Sequence, residues 1–166
     1  MYSLNVPVPG EVSQWTTAHY PELSAFDRVR ERHSLTLKRF ESMERARLRE
    51  RLTHVLSPAP AFEVQVTGID FFERPVRGPG PVVYFAVESP GLLRLHDRLV
   101  EAFGAVEDLE GDDYTPHVTL ARGGRVADAE RLAAMDVEPI TWTASRLDLW
   151  NSDYRESVAR IPLPRP

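Results

Sequence analysis

The sequence predicts a single α+β domain over residues 1–166, with two pseudo-symmetric lobes around a central cleft. Strand-type and helix-type segments alternate along the chain, and several strand pairs are joined by turns too short for a crossover helix. Such short connections favour mainly antiparallel sheet, with the helices on the outside. The pattern Thr-Leu-x-Arg also occurs twice, at Thr36–Arg39 and Thr119–Arg122, half a chain apart. This repeat predicts the two lobes.

In the first half of the chain, alternating apolar residues predict strands, and apolar residues three or four apart predict helices. Ser42 suits the cap position of a helix whose apolar residues recur from Leu48 to Leu56. The predicted elements are a strand over Tyr2–Val8, a helix over Glu11–Leu23, a strand within Arg28–Phe40 centred on Ser34–Leu37, the helix after Ser42, and a strand over Phe62–Phe72.

In the second half, the most strongly marked helix begins at Ser89-Pro90 and ends at Gly104. Serine is favoured as a cap, proline in the first turn and glycine at the stop. Clusters of proline, glycine or acidic residues predict loops over Arg74–Pro81 and Asp108–Pro116. The remaining predicted elements are strands over Val82–Val87, His117–Arg122, Ile140–Trp150 and Ser157–Leu163, a helix over Asp128–Met135, and a turn at Asn151–Tyr154.

The composition narrows the class of protein. With 42% hydrophobic and 27% charged residues, it is typical of a soluble globular domain. The absence of cysteine excludes disulfides, thiolate zinc sites and a cysteine nucleophile. Because the first residues lack a signal-peptide pattern and no apolar run is long enough for a membrane span, we expect a cytoplasmic monomer without a membrane partner. A net charge of −5 means that any phosphate ligand needs a local basic site.

The segment His117-Val118-Thr119 places two polar side chains on one face of a predicted strand. Residues two apart on a strand point the same way, about 7 Å apart. The threonine hydroxyl can donate to a phosphate oxygen while the imidazole transfers a proton. A short H-x-T pattern arises easily by chance, whereas the longer string from Tyr114 to Arg122 is more specific.

The string Pro116–Arg122, P-H-V-T-L-A-R, resembles the second motif of the 2H phosphoesterases. This superfamily contains 2′–5′ RNA ligases and RNA 2′,3′-cyclic phosphodiesterases, and the resemblance extends over most of the chain. It implies two α+β lobes, each contributing one H-x-T motif to a shared cleft. It also implies that no cofactor or metal is needed and that the partner is an RNA terminus or a small cyclic nucleotide.

The first motif departs from the family pattern, because Ser34 stands where the histidine belongs and His33 lies one residue earlier. On a regular strand, His33 and Thr36 would point to opposite faces. Three alternatives follow. A one-residue bulge at Ser34 or Leu35 restores the geometry, His33 works with Ser34 or another hydroxyl, or this half is catalytically inactive. We expect the bulge.

The resulting hypothesis is a metal-independent phosphoesterase that opens 2′,3′-cyclic phosphates or joins 2′–5′ bonds by two-histidine acid–base catalysis. The motifs contain no carboxylate–histidine cluster with metal-ligand spacing. The alternative is a catalytically degenerate RNA- or nucleotide-binding module of the same fold. The candidate site residues are His33 and His117 for catalysis, and Thr119, Thr36, Ser34, Arg122 and Arg39 for binding the phosphate.

Overall fold

The computed structural model describes residues 1–165 and confirms the α+β class. The described α-helices are α1 (Gly10–Ala18), α2 (Tyr20–Leu23), α3 (Arg45–Leu56), α4 (Pro90–Phe103) and α5 (Val126–Ala133), with a short 3₁₀ turn at Gly111–Asp113. The described strands are β1 (Tyr2–Pro7), β2 (Arg28–Val29), β3 (Ser34–Phe40), β4 (Phe62–Phe72), β5 (Val82–Glu88), β6 (His117–Arg122), β7 (Ile140–Ala144), β8 (Arg146–Asn151) and β9 (Glu156–Pro162).

The strands form one curled sheet in which neighbouring strands are antiparallel, as the short connections predicted. The order is β7-β4-β5-β6-β3-β1-β8-β9, and the short β2 also pairs with β6. The sheet has two four-stranded halves that meet where β6 lies beside β3. A single residue pair, Leu35 with Val118, is in register at this junction. Because the two central strands diverge from this point, the sheet opens into two lobes, as expected.

One face of the sheet is covered by helices. Leu4, Leu35, Phe85 and Val118 are fully buried on that face, and helices α4 and α5 pack against it. Alternate residues of the same strands therefore point to the opposite, concave face. That face holds Thr36 and Arg39 of the first repeat copy and His117 and Arg122 of the second motif.

Helix α4 confirms the helix expected after Ser89. The Ser89 hydroxyl accepts a hydrogen bond from the Leu92 amide at 3.2 Å, and the helix ends at Gly104, whose φ is +82°. Glycine tolerates this left-handed conformation because it has no Cβ. Within residues 1–165, no helix is both long and apolar enough to cross a membrane.

The helix expected over Glu11–Leu23 is two helices, α1 and α2, separated at His19. Pro21 explains the break, because proline lacks the amide proton of a continuous helix and its ring clashes with the preceding turn. The interrupted end is stabilised by His19, whose Nδ1 lies 2.9 Å from the Trp15 carbonyl oxygen.

The expectation that Ser42 caps the third helix is wrong. Helix α3 begins at Arg45 and is capped by Glu44, whose carboxylate accepts hydrogen bonds from the amides of Ala46 and Arg47. A carboxylate satisfies two amides at once and carries the negative charge favoured at a helix N-terminus.

The strand expected over Ile140–Trp150 is also divided, into β7 and β8, at Ser145. Strand β7 pairs with β4 in one half of the sheet, whereas β8 pairs with β1 in the other. The chain therefore changes partner strands within an apparently continuous sequence pattern. The turn expected at Asn151–Tyr154 does connect β8 to β9.

Candidate active site

Strand β6 has the bounds expected from the sequence and carries the second motif. Val118 and Leu120 are fully buried on the helix side, so His117 and Thr119 lie on the concave face, where both are partly exposed. Their placement follows from the alternation of side chains along a strand. The structure therefore brings this histidine and this threonine to one surface.

Both Thr-Leu-x-Arg copies contain a β-bulge at their leucine. Leu37 lacks a partner on β1, because Lys38 pairs with Leu4 while Thr36 pairs with Asn5. Leu120 likewise lacks a partner on β5. A bulge lets two successive residues face the same side, and the leucine and the following residue are buried in each copy. The threonine and arginine, three positions apart, can therefore share the concave face.

The two motifs meet in a cavity of about 170 Å³ on the concave face, which we call the groove. Thr36 and Arg39 from β3 and His117 and Arg122 from β6 all line it. Thr119 does not line the groove itself, although it shares the face of His117. Of the seven candidate site residues, the structure thus brings four into one cavity.

The imidazole of His117 is held in one tautomer. Its Nδ1 lies 2.6 Å from the Thr115 carbonyl oxygen. A carbonyl can only accept, so Nδ1 carries the proton and Nε2 is the unprotonated nitrogen of the neutral ring. The rings of Phe72 and Tyr84 lie 5.3 and 5.1 Å from the imidazole, between ring centres, and restrict its rotation. Burial and the nearby Asp70 raise the pKa of Tyr84 to about 12, so its phenol stays neutral.

The pKa of His117 is lowered from its ordinary value, chiefly because burial disfavours the charged ring. The hydrogen bond to Thr115 acts in the opposite direction, and the positive charges of Arg39 and Arg122 lower the pKa further. His117 is therefore neutral near pH 7 and suited to accept a proton through Nε2.

The bulge expected at Ser34 or Leu35 is wrong. Pro7, Val6 and Asn5 of β1 pair in regular succession with Ser34, Leu35 and Thr36. The irregularity lies upstream instead, where Glu31, Arg32 and His33 form an excursion between β2 and β3. Both flanking segments pair with β6, at Val29–Ala121 and Leu35–Val118. The extra residue between His33 and Thr36 is therefore accommodated in this excursion, before Ser34.

The structure does not bring His33 to the groove. His33 lines a separate cavity of about 370 Å³ beside α1 and α2, and its Nδ1 lies 3.4 Å from the Ser13 hydroxyl. Burial is the main reason why its pKa is lowered, and the carbonyl of Arg30 partly offsets that effect. Because the strand is regular from Ser34 to Thr36, His33 falls on the side opposite to Thr36. The expected pairing of His33 with His117 is therefore corrected.

Ser34 occupies the position that matches His117. The Leu35–Val118 pair is the centre of the pseudo-symmetry, since each residue precedes its motif threonine by one. Continuing the antiparallel register from this pair puts Thr36 beside His117 and Ser34 beside Thr119. The Ser34 side chain is exposed. The place of a second histidine is thus taken by a hydroxyl.

A buried network fills the wedge between the diverging strands β3 and β6. The Tyr114 hydroxyl donates to the Thr36 carbonyl at 2.8 Å, and His96 Nδ1 lies 2.8 Å from the Leu37 carbonyl oxygen. Glu110 accepts hydrogen bonds from the Arg39 amide and from the buried ammonium of Lys38. These bonds satisfy backbone groups that β6 cannot reach, so the network fixes the first bulge.

Two arginines of the groove were missed by the sequence analysis. Arg74 and Arg77 line the groove from the loop between β4 and β5, and the Arg77 carbonyl accepts a hydrogen bond from Arg122 at 3.3 Å. The alternation of side chains along strands gives no information about which loop residues reach a site. The R-P-x-R string itself was the available sequence signal for Arg74 and Arg77. With Arg39 and Arg122, they make a local basic site in an acidic protein.

Acidification should destabilise the folded protein through His33 and His117, whose pKa values are both lowered. In the unfolded chain each would titrate at about pH 6.5. As the pH falls below that value, the unfolded state binds protons first, so the free energy of unfolding decreases until the folded pKa values are passed. Urea unfolding at about pH 7.5 and about pH 5.5 measures the effect. His33→Gln and His117→Gln should each flatten the dependence, and an unchanged slope in both would contradict this assignment.

Several solved structures share the fold of this chain over almost its whole length. Among solved structures, the protein TT0787 of Thermus thermophilus is 21% identical, with a TM-score of 0.66 over 99% of this chain and 98% of that one. E. coli LigT complexed with 3′-AMP is 17% identical, with a TM-score of 0.69 over 98% and 97% of the two chains. A phosphoesterase structure is also 17% identical, with a TM-score of 0.67 over 99% and 98%. At these identities the likeness establishes the fold. No curated protein matches the chain.

The family model described as the 2′-5′ RNA ligase superfamily matches residues 8–156. The match includes both Thr-Leu-x-Arg copies, the groove and the two strands that meet at its centre. The chain belongs to the 2′-5′ RNA ligase superfamily.

Proposed function

We propose that this protein is a metal-independent phosphoesterase that opens 2′,3′-cyclic phosphates at RNA ends or in small cyclic nucleotides. Membership of the superfamily supports a phosphoesterase-type or ligase-type activity. The observation that carries the proposal is His117, whose proton is held on Nδ1 by the Thr115 carbonyl. Nε2 is left as a base at an arginine-lined groove.

In the proposed reaction, the phosphate lies beside Thr36 and His117. Nε2 of His117 takes a proton from water, and the water oxygen forms a bond to phosphorus. The bond from phosphorus to one ribose oxygen then breaks, and that oxygen must receive a proton. The Ser34 hydroxyl can donate a hydrogen bond there. It does not release its proton near pH 7 as an imidazolium does, so the proton comes from solvent. The product is a ribose phosphate monoester.

The groove arginines supply the charge stabilisation. Arg39 and Arg122 lie close enough to His117 to lower its pKa, so their positive charge also acts on a phosphate bound against that ring. The Thr36 hydroxyl adds a neutral donor to the free oxygens from within the groove, and the Thr119 hydroxyl adds one from the same face outside it. Fixed donors directed at developing negative charge stabilise the transition state more than the ground state. Binding and acceleration thus come from the same groups.

A second candidate function is a nucleotide-binding module that does not turn over its ligand. The position of Ser34 favours it, because one histidine of the expected acid–base pair is replaced by a hydroxyl. This candidate uses the same arginines and threonines for binding. The two functions therefore differ in turnover and not in the place where the ligand lies.

The test is hydrolysis of a short RNA ending in a 2′,3′-cyclic phosphate, assayed in EDTA, with the 2′- and 3′-phosphate products separated. We expect turnover that survives the chelator, because the proposed steps use only side chains of the chain. Loss of activity in EDTA with recovery on adding a divalent ion would show that the chemistry is wrong. Tight binding without any product would favour the binding module.

A further inference from the structure

The concave face of the first half carries a second set of polar and aromatic side chains. Thr36 on β3 pairs with Asn5 on β1, which in turn pairs with Asp148 on β8. In the neighbouring row, Arg39 pairs with Ser3, and Ser3 pairs with Trp150. Directly paired residues of antiparallel strands point to the same face. Asn5, Asp148 and Trp150 therefore share the surface that holds the groove.

Two acceptor atoms on this surface have no hydrogen-bond donor among residues 1–165. Asn5 is 8% exposed, and its Oδ1 is buried without a partner while its Nδ2 donates to the Ser3 hydroxyl at 3.1 Å. Oδ1 of Asp148 is also buried without a hydrogen bond, and the nearest cation is Nε of Arg146 at 3.9 Å. Buried acceptors without donors are costly, so these two atoms point to a ligand that supplies N–H groups.

A position where a flat group can stack lies over Trp150, in the row formed by the paired residues Arg39, Ser3 and Trp150. The guanidinium carbon of Arg32 is 3.5 Å from the centre of the Trp150 ring. Arg32 is exposed and belongs to the excursion of residues 31–33, outside the strand ladder. Its flexible side chain can move away from the indole without disturbing the sheet. A flat ligand can then lie on Trp150 with the guanidinium over its other face, since bases stack on both groups.

We propose that Trp150, Asn5, Asp148 and Arg32 form a nucleobase subsite that selects guanine. The inference rests on the proposed function, because the groove is taken to hold the phosphate of the same nucleotide. Neighbouring strands are about 4.8 Å apart, so Asn5 and Asp148 lie about 5 and about 10 Å from Thr36 across the sheet. A base attached to a ribose phosphate held at Thr36 reaches this region.

Both unpaired atoms, Oδ1 of Asn5 and Oδ1 of Asp148, are hydrogen-bond acceptors. The base edge that meets them must therefore carry donors. Guanine offers N1–H and the N2 amino group side by side, so it can donate to the Asp148 carboxylate and the Asn5 carbonyl. Uracil has a single ring N–H between two carbonyl oxygens. It can therefore donate to only one of the two acceptors, and a carbonyl oxygen would face the other. Single-stranded RNA is commonly read by such hydrogen bonds to exposed base edges.

The test compares binding of the 3′-monophosphates of guanosine, inosine and uridine to the wild-type protein by calorimetry. Guanosine 3′-monophosphate should bind at least about fivefold more tightly than the uridine compound, as for a bidentate contact. The inosine compound, which lacks the N2 amino group, should lose most of that advantage. Asp148→Asn should remove the preference, and the matched exposed variant Asp136→Asn should keep it.

Equal binding of the guanosine and uridine compounds, or a preference that persists in Asp148→Asn, would overturn the subsite. The comparison with inosine uses only wild-type protein, so it remains decisive if a variant fails to fold. If the three nucleotides bind equally while the cyclic-phosphate assay gives product, only the subsite is wrong. If none of them binds and no product forms, the proposed function fails as well.

Discussion

Replacing His117 with alanine is expected to lower the turnover of a 2′,3′-cyclic phosphate by about 10²–10⁴-fold, the usual contribution of a positioned acid or base. The variant removes the only imidazole that lines the groove among residues 1–165. Thr36, Arg39 and Arg122 remain, so substrate binding should change less than turnover. Steady-state kinetics that separate kcat from KM measure this difference.

The matched control for this prediction is His33→Ala. His33 lines a separate cavity beside α1 and α2 and does not line the groove, so turnover should stay near the wild-type value. Circular dichroism and urea unfolding establish that both variants are folded. Equal losses in the two variants would show that the chain uses His33 after all, through a rearrangement of residues 31–33. Full activity of His117→Ala would refute the assignment of the base.

Introducing a histidine at Ser34 should produce the opposite effect. The register through Leu35 and Val118 gives position 34 the same relation to the centre of pseudo-symmetry that His117 has, and its side chain lies on the concave face just outside the groove. An imidazole there could protonate the leaving ribose oxygen, the step that the chain now leaves to solvent. We expect Ser34→His to raise kcat by up to about 10²–10⁴-fold. Single-turnover kinetics on the cyclic-phosphate RNA measure the chemical step directly.

Ser34→Asn is the control, because it adds a polar side chain of moderate size without a group that titrates near pH 7. A rise with asparagine equal to that with histidine would mean that the gain comes from positioning the phosphate. If Ser34→His leaves turnover unchanged, position 34 does not face the reacting bond and the pseudo-symmetric assignment is wrong. Its exposed side chain makes both substitutions compatible with the fold.

Much of the fold followed from local patterns. The bounds of β4 and β6 agree with the expected strands, and α4 has the expected cap and stop. These elements carry their signals within a few residues, as apolar alternation or as capping residues. The breaks at His19 and Ser145 were missed. One depends on how Pro21 interrupts a helix, and the other on a change of partner strand.

The second motif was predictable because a single regular strand segment contains it. His117 and Thr119 are two residues apart, and alternation alone places them on one face. The geometry of the first motif was not predictable, because it depends on where the extra residues interrupt the regular pairing of the strands. Sequence spacing showed one residue too many between His33 and Thr36. It could not show that residues 31–33 loop out together and that the bulge follows at Leu37.

The antiparallel α+β plan, the two related halves and the placement of His117 and Thr119 on one strand face follow from local sequence patterns. Long-range contacts were needed to establish that His33 lies outside the groove, so that Ser34 keeps the position matching His117, and that loop arginines complete the groove. Local patterns are insufficient there because the face to which a side chain points depends on strand register. Register at β3 is set by pairing with β1 on one side and β6 on the other. A shift of one residue reverses the face, and residues far apart in the chain determine that shift.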